Sequence, residues 1–219
     1  MLQLQTLMAE DFRRLYPQVA VEVEGKGSST APPALTESTI QLGNMSRRIR
    51  GGEADAFEER FGYHPMRVDV ALDTVGVFVH RANPIESLTV QQVDAIFSRT
   101  RRCGSPSDIS LWGEIGLDGR WRTATLSLYG RNAASGTYSY FKEHALCRGD
   151  YKDTVKEQPG SASVVQGVEN DSYGIGYSGI GYATAGVRAI PISRGDGLPA
   201  IPATWENAAN GRYPFARFL

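Results

Sequence analysis

The sequence predicts an α/β protein of layered helices and mostly parallel strands. Strand-like and helix-like apolar periods alternate along the chain. A strand that runs through a glycine-containing loop into a helix start occurs twice, once ahead of Pro32-Pro33 and once ahead of Tyr138. The connections between strands are too long for simple hairpins, which leaves helical crossovers between them.

The elements follow in order. Leu4, Leu7, Met8, Phe12 and Leu15 fall at helical spacing, so the chain is expected to begin inside an amphipathic helix that Tyr16-Pro17 stops. Val19, Val21 and Val23 alternate with Ala20, Glu22 and Glu24 as in a half-exposed strand. Gly25-Lys26-Gly27-Ser28-Ser29-Thr30 leads to Pro32-Pro33, and proline is tolerated in a first helical turn, so hydroxyl residues are expected at a helix N-terminus. Residues 68–79 form a second apolar strand, long enough to cross between lobes, and lead to Asn83-Pro84. Thr89 with Gln92 makes a capping box, and Val90, Val93, Ile96 and Phe97 give its helix a buried face.

Residues 103–120 read as a loop excursion carrying Trp112. Leu126 to Gly130 is a short strand, followed by Arg131-Asn132-Ala133-Ala134-Ser135-Gly136-Thr137 and a helix from Tyr138 through Phe141, Ala145 and Leu146. Ser163 with Gln166 reads as another capping box, on a helix ending near Asn170. Gly174 to Tyr182 reads as a glycine-rich buried strand and turn, and Val187 to Ile192 as a strand. The apolar run Phe215 to Leu219 reads as the entry to a further element, so the sequence is expected to be a fragment of a longer chain.

Bulk properties narrow the function. With 219 residues, 41% hydrophobic and 21% charged, the chain is globular rather than disordered. A formal net charge of −1 provides no general attraction for nucleic acid or anionic membrane, so affinity for an anion must be local. The clusters at residues 47–50 and 99–102 are too short to act as a nucleic-acid stripe. No apolar run reaches membrane-spanning length, and Met1 is not followed by the basic start and apolar run of a signal peptide. Cys103 and Cys147 lack metal-binding spacing; they are either a disulfide, which implies an oxidising compartment, or two separate buried thiols, and the first is favoured.

Gly174-Ile175-Gly176-Tyr177-Ser178-Gly179 matches the G-x-G-x-x-G pattern, but a helix precedes it and a β-rich run follows, the reverse of a dinucleotide site. Ser28, Ser135 and Ser178 lie beside glycine but outside G-x-S-x-G, and no acid is placed to orient His64, His80 or His144, so serine hydrolysis is disfavoured. These histidines do not cluster, so no metal or other cofactor is expected. Anion binding remains. A helix N-terminus presents unpaired N–H groups and partial positive charge, and two such ends carry hydroxyls, at Ser28, Ser29 and Thr30 and at Ser135 and Thr137. Plain N-capping is the alternative use of those residues. Arg131, four residues before Ser135, can add a planar fork of donors, and Ser46-Arg47 form a third polar group.

Arg131-x-x-x-Ser135-Gly136-Thr137, Gly27-Ser28-Ser29 with Ser46 nineteen residues after Gly27, and Asn83-Pro84 with Leu88-Thr89 and Ile96-Phe97 resemble the phosphate-binding proteins of bacterial ABC transporters, the PstS-type substrate-binding proteins. The resemblance implies a two-lobed type II periplasmic-binding-protein-like α/β fold with crossover hinge strands. It implies a first, incomplete lobe of residues 1–78 with 190–219, a second of 79–189, and an extracytoplasmic location. Inorganic phosphate would be bound by Ser28, Ser29, Thr30, Ser46, Arg47, Arg131, Ser135, Gly136 and Thr137 between the lobes and delivered to ABC permease subunits, without catalysis. Many members carry Asp where this chain has Ser46, so sulfate or arsenate are further candidate ligands. A phosphate sensor or adaptor with the same lobes is the alternative function.

Overall fold

The computed structural model describes residues 2–219. They cluster into two compact units: a smaller one up to Val70 with Ala134–Gly136 and Leu219, and a larger one of Ala71–Ala133 with Thr137–Phe218.

The smaller unit contains three helices, α1 (Leu2–Leu15), α2 (Ala31–Thr36) and α3 (Gly51–Phe61). The expected first helix is present, with Arg13 and Arg14 in its last turn, where positive charge complements the helix dipole. Its apolar stripe is nonetheless exposed at Leu7, Met8, Phe12 and Leu15, and only Ala9 is buried. The strand expected at Val19 to Val23 does not form. Those residues find no partner strand, and alternation alone satisfies no backbone hydrogen bonds. Pro32 and Pro33 occupy the first turn of α2 as expected. Helix α3 has no counterpart in the sequence reading because it fully buries no residue, and its half-buried Phe57 and Phe61 meet at a tilt with ring centroids 4.6 Å apart.

The larger unit runs β1 (Leu72–His80), β2 (Leu88–Thr89), α4 (Val90–Phe97), β3 (Ser127–Arg131), α5 (Gly136–His144), β4 (Lys156–Gln158), α6 (Ser161–Glu169), β5 (Gly174–Gly179), β6 (Val187–Ala189), β7 (Ile192–Ser193), α7 (Trp205–Ala209) and β8 (Ala216–Phe218). The main sheet has the order β4-β3-β5-β1-β6, with β8 also pairing with β1. Strand β3 is parallel to β4 and β5, but β1 is antiparallel to β5, β6 and β8, so the sheet is mixed rather than mostly parallel. The parallel pairs are the ones joined through helices, as the geometry of crossovers requires.

Strand β5 is buried along its whole length, and it is a strand rather than a phosphate loop. A Cβ on Gly176 would lie 2.9 Å from Val168 of α6 and 3.0 Å from the Tyr129 carbonyl, so the glycines let α6 and β3 close onto β5. Phe141 of α5 stacks on Tyr177 of β5 at 3.9 Å, Phe97 of α4 meets both rings edge-on, and Trp112 is fully buried in the same core. Thr89 and Gln92 form the capping box of α4, each side chain accepting from the other's backbone N–H. The second box is corrected: α6 starts at Ser161 after Gly160, which places Ser163 inside the helix. Strand β4 and α7 were not anticipated; each is too short for periodicity to register. Cys103 and Cys147 form a disulfide, with Cα atoms 5.3 Å apart.

Candidate anion-binding site

Within the smaller unit, three separate segments meet around Ser28. Its Oγ accepts from the Ser46 N–H at 2.8 Å, and the Ser29 N–H donates to the Ala134 carbonyl at 3.3 Å. Gly27 has φ of 104° and a Cβ there would lie 2.6 Å from the Ala134 oxygen; one on Gly136 would lie 2.3 Å from Ser28 Oγ. Only glycine allows this approach. Ser28 and Ser135 are buried. Because the Ser28 oxygen accepts from Ser46, its own O–H points elsewhere as a donor.

The other residues expected here are placed differently. Thr30 is exposed and its hydroxyl donates back to the Gly27 carbonyl at 2.9 Å, away from the Ser28 cluster. Arg47 is buried, but its two Nη groups donate to Glu53 of α3 at 2.9 and 2.7 Å, and Nη2 lies 3.5 Å from Ser29 Oγ. Its Nε is buried without a partner. Burial pushes the Glu53 carboxyl up, but the hydrogen bond and charge of Arg47, with the Arg50 N–H, more than reverse this and hold it below its ordinary value.

Glu53 was missed by the sequence reading because it lies on the unanticipated helix α3. A group with a depressed carboxyl pKa contributes stability that is present above its unfolded value, 4.5, and is lost as pH falls through the lower folded value. Glu53→Gln is therefore expected to destabilise the chain by about 1–3 kcal/mol at neutral pH. Urea unfolding should show the gap between variant and parent closing below about pH 4.5; a gap independent of pH would contradict this.

In the larger unit, Arg131 ends β3 and its backbone N–H donates to the Tyr177 hydroxyl at 3.2 Å. Its guanidinium donates to Ser161 Oγ at 2.8 Å and to the Pro159 carbonyl at 3.1 Å, while Nε is buried without a partner. No carboxylate pairs with it among the described residues. Its titratable neighbours are the neutral phenols of Tyr177 and Tyr182 and a second cation, Arg217, and burial holds its pKa below the ordinary arginine value.

Thr137, in the first turn of α5, is buried, and its Oγ1 accepts from Arg217 Nη2 at 2.9 Å. Arg217 also donates to Asp73 Oδ2 at 3.1 and 2.7 Å and lies 5.0 Å over the Tyr140 ring. The Tyr140 hydroxyl donates to the Ala216 carbonyl, and burial raises its pKa to about 12. Asp73 and Arg217 were missed because 144 residues separate them and no local motif links them.

The competing chemistries find little support. Contrary to the expectation that no acid orients a histidine, His64 lies 3.2 Å from Glu58, though both side chains are largely exposed; His80 accepts from the Ala82 N–H, and His144 packs on Tyr140. Ser178 donates to the Ser161 carbonyl inside the sheet. No group of His, Cys, Asp and Glu suited to a metal occurs among the described residues, and none of their helices is long and apolar enough to cross a membrane.

The family model described as a PBP superfamily domain matches residues 3–219. The phosphate-binding protein PstS of Pseudomonas aeruginosa is 54% identical over 216 residues, 99% of this chain and 67% of that relative. The protein SphX of Synechococcus elongatus is 27% identical over 96% of this chain and 61% of its own length. A solved structure of a phosphate ABC transporter substrate-binding protein with bound phosphate, from Clostridium perfringens, matches with a TM-score of 0.78 and 26% identity, covering 96% of this chain and 76% of that one. Fold and sequence together place the chain in the PBP superfamily, among the relatives of the phosphate-binding protein PstS.

Proposed function

We propose that this protein binds inorganic phosphate and delivers it to the permease of an ABC transporter, making and breaking no bond. The observation that carries the reading is Arg131: a half-buried guanidinium facing no carboxylate, with a buried and unpartnered Nε and a second arginine nearby. A cation partly removed from water without a counter-charge is unfavourable, and an anion would complete it. The relatives named for phosphate binding support phosphate as that anion.

The binding residues proposed are Ser28, Ser29, Ser46, Arg47, Arg131, Ser135, Gly136 and Thr137, with Thr30 the weakest member because its hydroxyl is turned back to Gly27. Arg47 contributes chiefly through Nε, since both Nη groups serve Glu53. The lobe division at 1–78 with 190–219 and 79–189 stays part of this proposal. The disulfide fits an extracytoplasmic, oxidising location. Ser46 supplies no carboxylate to accept the proton of monohydrogen phosphate, so rejection of sulfate rests on other groups.

Calorimetric titration with phosphate, arsenate and sulfate tests the reading. Phosphate is expected to give a saturable one-site isotherm, arsenate to compete with it, and sulfate to bind more weakly. Absence of saturable phosphate heat, or tighter binding of sulfate, would overturn it.

A further inference from the structure

The buried pair of Asp73 and Arg217 lies directly beside Thr137, and nothing in the binding reading so far gives it a task. The two residues are cross-strand partners in the β1–β8 ladder. Their side chains are 19% and 6% exposed, so the pair is largely removed from water. An ion pair in that position contributes little net stability over a well-packed apolar pair. Its geometry is specific, however: one Nη2 group serves both the Asp73 carboxylate and the Thr137 oxygen.

We propose that Asp73 and Arg217 are positioning residues that set the Thr137 hydroxyl as a donor toward bound phosphate. The inference rests on the phosphate-binding function proposed above. An arginine can only donate, so the Thr137 oxygen accepts from Arg217 and its proton points away from the guanidinium. Whatever else that hydroxyl meets along its O–H direction, it meets as a donor, which is the role a phosphate oxygen requires.

Asp73 fixes the guanidinium through Nε and Nη2, and the Tyr140 ring lies against it, so the donor cannot swing off Thr137. Tyr140 is itself held by its hydroxyl, which donates to the Ala216 carbonyl next to Arg217 in sequence. The arrangement also leaves a cation near Arg131, which an anion would favour.

A double-mutant cycle on phosphate affinity tests this, using the whole chain and calorimetry with inorganic phosphate. Thr137→Val is expected to weaken binding about tenfold, the loss of one hydrogen bond to a charged group. Arg217→Lys keeps the charge but cannot bridge Asp73 and Thr137, and is expected to weaken binding by about fivefold or more. The double variant should bind no worse than Thr137→Val to within about twofold, because Arg217 acts through Thr137.

Asp73→Asn supplies a second, signed readout. Removing a carboxylate near an anion would tighten binding if Asp73 acted only through its charge. Loss of orientation predicts weaker binding instead, and no further loss in the Thr137→Val background. Circular dichroism establishes folding, and if Arg217→Lys does not fold, the Asp73→Asn cycle decides.

Losses that multiply, single variants without effect, or tighter binding by Asp73→Asn would each overturn the inference. If the parent chain binds phosphate and Arg131→Ala abolishes it, such outcomes remove only the role of Asp73 and Arg217. A parent chain that does not bind phosphate removes both this inference and the function on which it rests.

Discussion

Arg131→Ala is expected to weaken phosphate binding by about 100-fold or more, while leaving the ligand-free chain close to its original stability. The first effect follows from removing a charged donor from a desolvated site, which typically costs about 2–5 kcal/mol. The second follows from what surrounds the side chain. Arg131 donates to Ser161 and to the Pro159 carbonyl, and losing those bonds is destabilising. The same substitution removes a half-buried charge with no carboxylate partner and relieves its repulsion with Arg217, which is stabilising.

The two contributions oppose each other in the empty chain, but both favour retaining arginine once an anion is present. Thermal melts with and without phosphate separate them: the parent should gain stability as phosphate is raised and the variant should not. Arg131→Lys should recover only part of the affinity, because an ammonium keeps the charge but not the fork. An alanine variant that binds phosphate within a few-fold of the parent would remove the central cation from the site.

The residues proposed to bind the anion could be picked out from the sequence because each is tied to a local backbone pattern. Ser135, Gly136 and Thr137 stand where a strand passes into a helix, and Gly27 and Ser28 stand where a turn precedes prolines. Such signals depend on neighbours within a few residues, and so did the capping box of α4. What holds those residues in place was not legible. Glu53 lies on α3, a helix that fully buries none of its residues, so no buried stripe marks it. Asp73 meets Arg217 through the register of two antiparallel strands far apart in sequence, and register is a property of the assembled sheet.

The same distinction explains the misplaced elements. Val19 to Val23 has the alternation of a strand without a partner to pair with, and Ser163 has the spacing of a cap but sits one turn too late. Arg47 shows how a residue type can be identified and its engagement missed. Its charge suggested a ligand for the anion, yet the fold commits most of its donors to Glu53.

Replacing Cys103 and Cys147 together by serine is expected to reduce the free energy of unfolding by about 4 kcal/mol, the chain-entropy value for a loop of this length. The cross-link spans 44 residues and ties the segment after α4 to the end of α5. Both ends depend on it. Cys147 and Arg148 have φ of 48° and 64°, a left-handed conformation that non-glycine residues adopt at a cost. Near the other end, the Cys103 N–H donates to Asp94 Oδ2 at 2.7 Å.

Asp94 is fully buried, its Oδ1 has no partner, and burial raises its pKa despite the Cys103 hydrogen bond. A raised carboxyl pKa means that the folded state disfavours the ionised form, so the penalty is greatest above the folded pKa and disappears below the unfolded value, 3.8. Loosening Cys103 would withdraw a hydrogen bond from that carboxylate and enlarge the penalty. The deficit of the serine variant should therefore be greatest near neutral pH and shrink as Asp94 protonates. Urea unfolding of both proteins, with and without reductant, checks each part. Reductant should bring the parent close to the variant and leave the variant unmoved; a variant within about 1 kcal/mol of the oxidised parent would show that the native contacts hold the two segments without the bond.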